Sequence, residues 1–333
     1  MKRFVVLLVF IPILSCAVFA QNPERVVALQ GRWKFSVGDK MEWAQENFND
    51  QDWETVHVPS PWEDQGFYGY DGFAWYRKTF VIPGQYKNKS FYVNLGYIDD
   101  ADEVYFNGNL IGMSGSFPPK FSTAYNAFRK YAIPSQYIKF DRNNVIAVRV
   151  YDAQLAGGIT NGDVGIYTDA NSFPLEIDLQ GMWKFRTGDN ADYKDPNYND
   201  NNWRSILVPK YWEEQGYPDY DGFAWYRKKF TITGSYENER VVVVLGKIDD
   251  DEEVYLNGVY IGPVKRIVEY INDGGTRYNE FRAFYISGII LNSNKENVIA
   301  VRVYDSGGNG GIYEGPIGIV KQKDFVNYWK NKR

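Results

Sequence analysis

The chain is a succession of short runs in which apolar and polar residues alternate, broken often by turn residues. Ile146, Val148 and Val150 alternate with Ala147, Arg149 and Tyr151, the period-two pattern of a strand with one buried face. Ile299, Val301 and Val303 repeat it. Phe91, Val93 and Leu95 form a similar run, and its counterpart at 241–245 is continuously apolar. Asn107-Gly108 lies between Val104-Tyr105-Phe106 and Leu110-Ile111. Both residues of such a pair tolerate positive φ, so the segment predicts a hairpin. Asn257-Gly258 predicts a second one. No segment sustains a long 3.6-residue period. Many short strands with frequent turns predict an all-β protein of sandwich type.

The pattern occurs twice. Leu29-Gln30-Gly31-Arg32-Trp33-Lys34-Phe35 recurs as Leu179-Gln180-Gly181-Met182-Trp183-Lys184-Phe185, 150 positions on. The run 71–78 recurs unchanged at 221–228, and 144–152 recurs unchanged at 297–305. The second spacing exceeds the first by three residues, which places a small insertion between Gly262 and Tyr278. A repeat this long is a domain with its own core rather than a solenoid unit. The expected division is a first sandwich over 21–168, a linker at 169–174 and a second sandwich over 175–320. Residues 321–333 are expected to be a mildly basic, solvated tail.

Residues 1–20 read as an export signal. Lys2 and Arg3 precede an apolar run interrupted by Pro12, and Val18-Phe19-Ala20 offers a cleavage site before Gln21. A second reading takes Ile13-Leu14-Ser15-Cys16 as a lipobox, with Cys16 lipidated and the protein anchored through it. Either way the protein is expected to be periplasmic or extracellular, with no transmembrane segment. Cys16 is the only cysteine. The mature chain therefore has no disulfide, thiolate zinc site or cysteine nucleophile to draw on. A net charge of -5 and the lack of a long basic run speak against nucleic acid. Aromatic residues make up 17% of the chain, which suits both strand cores and sugar-stacking surfaces.

Gly31-x-Trp33-x-Phe35, Val58-Pro59-x-x-Trp62 and Trp75-Tyr76-Arg77-Lys78 resemble the jelly-roll sugar-binding domain of family 2 glycoside hydrolases. A nearer resemblance is to the β-galactosidase-like (galactose-binding-like) jelly-roll carried by bacterial sialate O-acetylesterases. It rests on 95–102 followed by Val104-Tyr105-Phe106-Asn107-Gly108, on 129–134, and on 144–152 with Gly157-Gly158-Ile159. The second half is similar at 245–251, 254–258, 297–305 and Gly310-Gly311-Ile312, and departs at Ile286-Ser287, where the first half has Ile133-Pro134. The resemblance covers nearly all of 29–320 and implies two tandem jelly-roll β-sandwich domains. In those families the jelly-roll accompanies a barrel with two catalytic acids or a Ser-Asp-His domain. Two sandwiches take up the chain and leave no room for a barrel of about 250 residues, and a fold alone supplies no activity.

The inventory for catalysis is thin. His57 is the only histidine. Its counterpart is Leu207, which predicts packing rather than a general-base role. No Gly-x-Ser-x-Gly elbow occurs. Arg77 and Arg227 are expected to pair with local acids. The carboxylates kept in both halves are Glu63 with Asp71 and Glu213 with Asp221, a glycosidase pair only if spaced across one cleft. The runs 99–102 and 249–251 offer oxygen ligands for calcium, but they lead directly into a hairpin strand, so turn formation is the reading adopted. No cofactor, metal site or catalytic residue is assigned.

The loop from Pro59 to Trp75 mixes rings with acids and amides, as a sugar site needs, and loops carry function more often than strands. Trp62, Glu63, Tyr70 and Asp71, with their counterparts Trp212, Glu213, Tyr220 and Asp221, are the expected ligand-binding residues. The expected function is an exported, non-catalytic carbohydrate-binding or glycan-associated protein whose partner is an oligo- or polysaccharide. The alternatives are a glycoside hydrolase or sialate O-acetylesterase-like hydrolase, and a structural partner of a separate glycan-degrading enzyme.

Overall fold

The computed structural model describes residues 23–87, 89–169, 172–263 and 277–332. The segment read as an export signal, with Cys16, and most of the loop expected to hold the three-residue insertion lie outside them. The described chain forms two antiparallel β-sandwiches. In the first, a six-stranded sheet runs in the order Glu54–Val58, Gly31–Val37, Gly72–Val81, Asn143–Asp152, Ala101–Phe106, Asn109–Ser114. It faces a sheet built around Ser90–Asp99, which pairs with Gly165–Asp169 and Gly158–Asn161 along one edge and Phe128–Ile133 along the other. The second sandwich repeats the six-stranded order and closes with a four-stranded sheet centred on Ile312–Lys321 and Arg240–Ile248. Among the described residues no helix is long and apolar enough to cross a membrane.

Each sandwich owns its core. One buried cluster gathers Trp33, Phe35, Trp62, Tyr76, Val93 and Val148, and the corresponding cluster of the second sandwich gathers Trp183, Phe185, Trp212, Tyr226, Val243 and Val301. The inward residues are the alternating ones, as a pleated strand requires. The linker and the C-terminus depart from expectation. Residues Gln322–Asn331 form a helix, not a solvated tail. Phe325 and Tyr328 of this helix and Phe173 of the linker pack on Val242, Val244 and Val320, on the outer face of the second sandwich. That face is apolar, whereas its equivalent in the first carries Tyr92, Asn94 and Tyr167.

Two buried ion pairs tie the sheets together. Arg129 and Asp102 are fully buried and meet at 2.7 Å. The repeat keeps the device with a longer acid, Arg282 on Glu252 at 2.6 Å. Arg129 also donates to the carbonyls of Asp100, Ala124 and Ala127. Arg77 and Arg227 pair with Asp50 and Asp200, as expected. The sandwiches touch where the Ser135 amide donates to Asp178 and the Gln136 side chain donates to the Gln180 carbonyl. Lys228 lies at this junction. Its ammonium donates to the Gln180 and Met182 carbonyls. Burial lowers its pKa to about 8, partly opposed by Asp178.

Replacing Arg129 with Met leaves the Asp102 charge buried with only the Tyr131 hydroxyl beside it. The expected loss is about 3–5 kcal/mol in denaturant unfolding; a loss below about 1 kcal/mol contradicts the buried pair. A second test concerns pH. The unfolded chain holds the Lys228 proton up to about pH 10.4, while the folded chain releases it near 8. The unfolded state binds more protons between those values, so the stability of wild type relative to Lys228→Met should rise as pH rises from about 8 to 10. A difference that stays flat in urea titrations across that window refutes the depressed pKa.

Candidate functional site

The Pro59 loop and its repeat cross one end of each sandwich, between the strands Glu54–Val58 and Gly72–Val81 and between Arg204–Val208 and Gly222–Thr231. The structure corrects the role expected of their tryptophans. Trp62 and Trp212 are both 0% exposed, so neither ring offers a face to a sugar. Trp62 lies 5.7 Å from Phe35 and 6.4 Å from Tyr76. Its indole N–H donates to the Tyr70 carbonyl at 3.1 Å, and that of Trp212 donates to the Tyr220 carbonyl at 3.2 Å. The paired glycines that follow Asp152 and Asp305 serve these rings. A Cβ on Gly157 would fall 2.2 Å from the Trp62 ring, and one on Gly310 would fall 2.1 Å from Trp212.

The rest of the loop is also committed locally. The Tyr70 hydroxyl donates to the Phe73 carbonyl and accepts from the Gly38 amide, and Tyr220 does the same with Phe223 and Gly188. Gln65 and Gln215 staple the loop to the backbone of His57 and Leu207. Asp71 and Asp221 are exposed, and Glu63 and Glu213 are half-buried. The expected packing of His57 does not occur: its side chain is exposed on an edge strand. Leu207 is buried because the same edge of the second sandwich faces the first.

The loop brings acids together that are far apart in sequence. Glu63 accepts from the Gly157 amide at 3.0 Å, and Glu213 accepts from Gly310 at 2.9 Å. Strand register does the rest. Asp152 ends its strand opposite Gly72, and Asp99 ends its strand opposite Gly158. Asp99, Asp100 and Asp152 thereby place carboxylate oxygens within 4.8 Å of one another. Asp152 is fully buried, and its Oδ2 has no hydrogen-bond partner; neither has Glu63 Oε1 nor the Tyr76 hydroxyl. The second sandwich leaves the corresponding Asp305, Glu213 and Tyr226 atoms without partners. Burial, then neighbouring acids, raises Asp152 to about 7 and Asp249 to about 7. Glu63 and Glu213 are raised chiefly by burial. The turn role expected of the 99–102 run is present, but sequence reading missed its meeting with Asp152.

A groove of about 420 Å³ lies between the sandwiches. Tyr211 and Tyr313 stack on one wall with centroids 4.7 Å apart and planes 9° from parallel. Phe128, 49% exposed, and Lys130 form the other. Ser114, Gln180 and Glu214 add polar groups. The positions matching Tyr211 and Tyr313 in the first half are Pro61 and Thr160, so the repeat gave no sign of this feature.

Residues 188–309 match the family described as the β-galactosidase second all-beta domain. The chain is 29% identical over 147 residues to β-galactosidase BoGH2A of Bacteroides ovatus, which covers 40% of this chain and 16% of that protein. It is 32% identical over 151 residues to a putative β-glucuronidase of Formosa agariphila, covering 41% of this chain and 14% of that one. The chain thus matches about a sixth of the length of these relatives. Among solved structures, β-glucuronidase 2 of Bacteroides uniformis aligns over 87% of this chain and 28% of its own, at 16% identity and a TM-score of 0.38; a score this low establishes no detailed correspondence. The fold is that of a β-galactosidase-like all-β domain, related to domains of family 2 glycoside hydrolases.

If Trp62 and Trp212 are core residues, Trp62→Ala and Trp212→Ala should each cost about 3–5 kcal/mol in equilibrium unfolding. A variant as stable as wild type would return these rings to the surface.

Proposed function

We propose that this protein, with its β-galactosidase-like all-β fold, is an exported, non-catalytic glycan-associated protein that takes carbohydrate into the groove between its two sandwiches. The observation that carries the reading is the aromatic lining of that groove by both modules, with Phe128 on one side and the Tyr211–Tyr313 pair on the other. Flat rings cover the apolar faces of a sugar, while Ser114, Gln180 and Lys130 supply hydrogen-bond partners for hydroxyls. Saccharide binding at a site shared by two domains is also where ligand pockets commonly form. Asp71 and Asp221, exposed at the loop ends, are the members of the expected binding set that remain free to meet an extended polysaccharide. The raised pKa of Asp152 does not make it a general acid in this reading, because its side chain is closed to solvent. His57 is exposed on an edge strand.

The hydrolase reading is favoured by one finding, the glycosidase names of the relatives. It assigns Glu63 and Glu213 the chemistry and predicts turnover lost in Glu63→Gln. A glycan array probed with the mature protein, followed by titration of each hit, separates the two. The binding reading predicts retention without hydrolysis, weakened roughly tenfold by Tyr313→Ala or Phe128→Ala and left intact by Glu63→Gln. Product release that disappears in Glu63→Gln would replace it with the hydrolase reading, and no retention of any glycan would end it.

A further inference from the structure

The orphaned acid oxygens at the end of the first sandwich are unexplained by carbohydrate binding in the groove. Asp99 is half-exposed, Asp100 is 8% exposed and Asp152 is 0% exposed, yet the three present oxygens within 4.8 Å of each other. Asp100 is held in place: its Oδ1 accepts from the Thr123 hydroxyl and its Oδ2 from the Ala153 amide at 2.9 Å. Asp152 Oδ1 accepts from the Gln154 amide, while its Oδ2 faces no donor. Glu63 adds a second unpartnered oxygen from the loop. The nearby guanidinium of Arg129 is spent on Asp102 and on backbone carbonyls. A buried carboxylate without a donor or cation is costly, and two oxygens on opposite sides of a calcium ion sit about 4.8 Å apart, twice the usual coordination distance.

We propose that Asp99, Asp100 and Asp152 bind one calcium ion that joins the two sheets at this end of the first sandwich. Hard carboxylate oxygens in an irregular arrangement suit calcium, which accepts six to eight oxygens without strict geometry; water reaching Asp99 from the surface completes the shell. The ion pins the Asn143–Asp152 strand of one sheet to the end of Ser90–Asp99 in the other. The repeat makes its own control. In the second sandwich, Ser306 replaces Ala153, and both its amide and its hydroxyl donate to Asp250 Oδ2. Asp249 accepts from the Asp250 amide at 3.1 Å. Among the described residues only the first trio closes to the spacing of a shared ion.

The test is calorimetric titration of the chelator-treated full chain with calcium chloride, paired with thermal melting. The expected result is one ion per chain and a higher melting temperature, with affinity reduced roughly tenfold or more in Asp152→Asn and in Asp99→Asn and unchanged in Asp305→Asn. Asp99 is partly exposed, so its variant carries the test should Asp152→Asn fail to fold. Absence of binding at millimolar calcium by the folded wild type overturns the proposal, as does binding that survives Asp99→Asn or depends on Asp305.

Discussion

The seating of a tryptophan across the end of each sandwich is the contact on which the rest depends. Trp62 belongs to the core cluster, and its N–H holds the Tyr70 carbonyl. Its ring occupies the space that a side chain at residue 157 would need. The Trp62 amide in turn donates to the Gly157 carbonyl, so the 59–71 loop and the segment after Asp152 are fastened to each other as well as to the core. Burying a ring of this size removes a large apolar area from water. The same seat explains why Glu63 reaches the Gly157 amide. A packing requirement thus fixes Glu63 on the Gly157 amide, and in the second module Glu213 on the Gly310 amide.

The two modules share that seat and differ outside it. In the second, the strand 240–248 is apolar on both faces, because Phe173 and the C-terminal helix cover its outer side. The matching face of the first bears Tyr92 stacked on Tyr167 at 5.5 Å, with the Lys130 ammonium 4.1 Å from the Tyr92 ring. Long charged side chains over rings keep such a face compatible with water. One copy of the duplicated sandwich has therefore become a docking base for chain segments of its own, while the other keeps a polar-aromatic surface leading to the groove at Phe128.

Much of this was legible in the sequence, and the failures have identifiable causes. The repeat, the alternation at 146–150 and the Asn-Gly hairpins predicted the strands and both cores. The helix at 322–331 was not predicted, because ten residues give too few turns for a clear period. A sign of it existed: the continuously apolar 241–245 run indicates a strand covered on both faces, and something had to cover the second one. The tryptophans were misplaced because a ring between loop acids looks alike in sequence whether it points outwards or inwards. Gly157 and Gly310 carried the missing information, since glycine beside a large ring marks close packing. The acid trio could not be read, because only strand register brings residues 99, 100 and 152 to one point.

Solvent exchange of the indole N–H protons of Trp62 and Trp212, followed by NMR on the intact protein, tests the central claim most directly. The account predicts that both exchange only through opening of the sandwich itself, among the slowest protons in the molecule. Exchange of either at the rate of a free tryptophan would contradict it, and would return the Pro59 loops to the position of open binding surfaces.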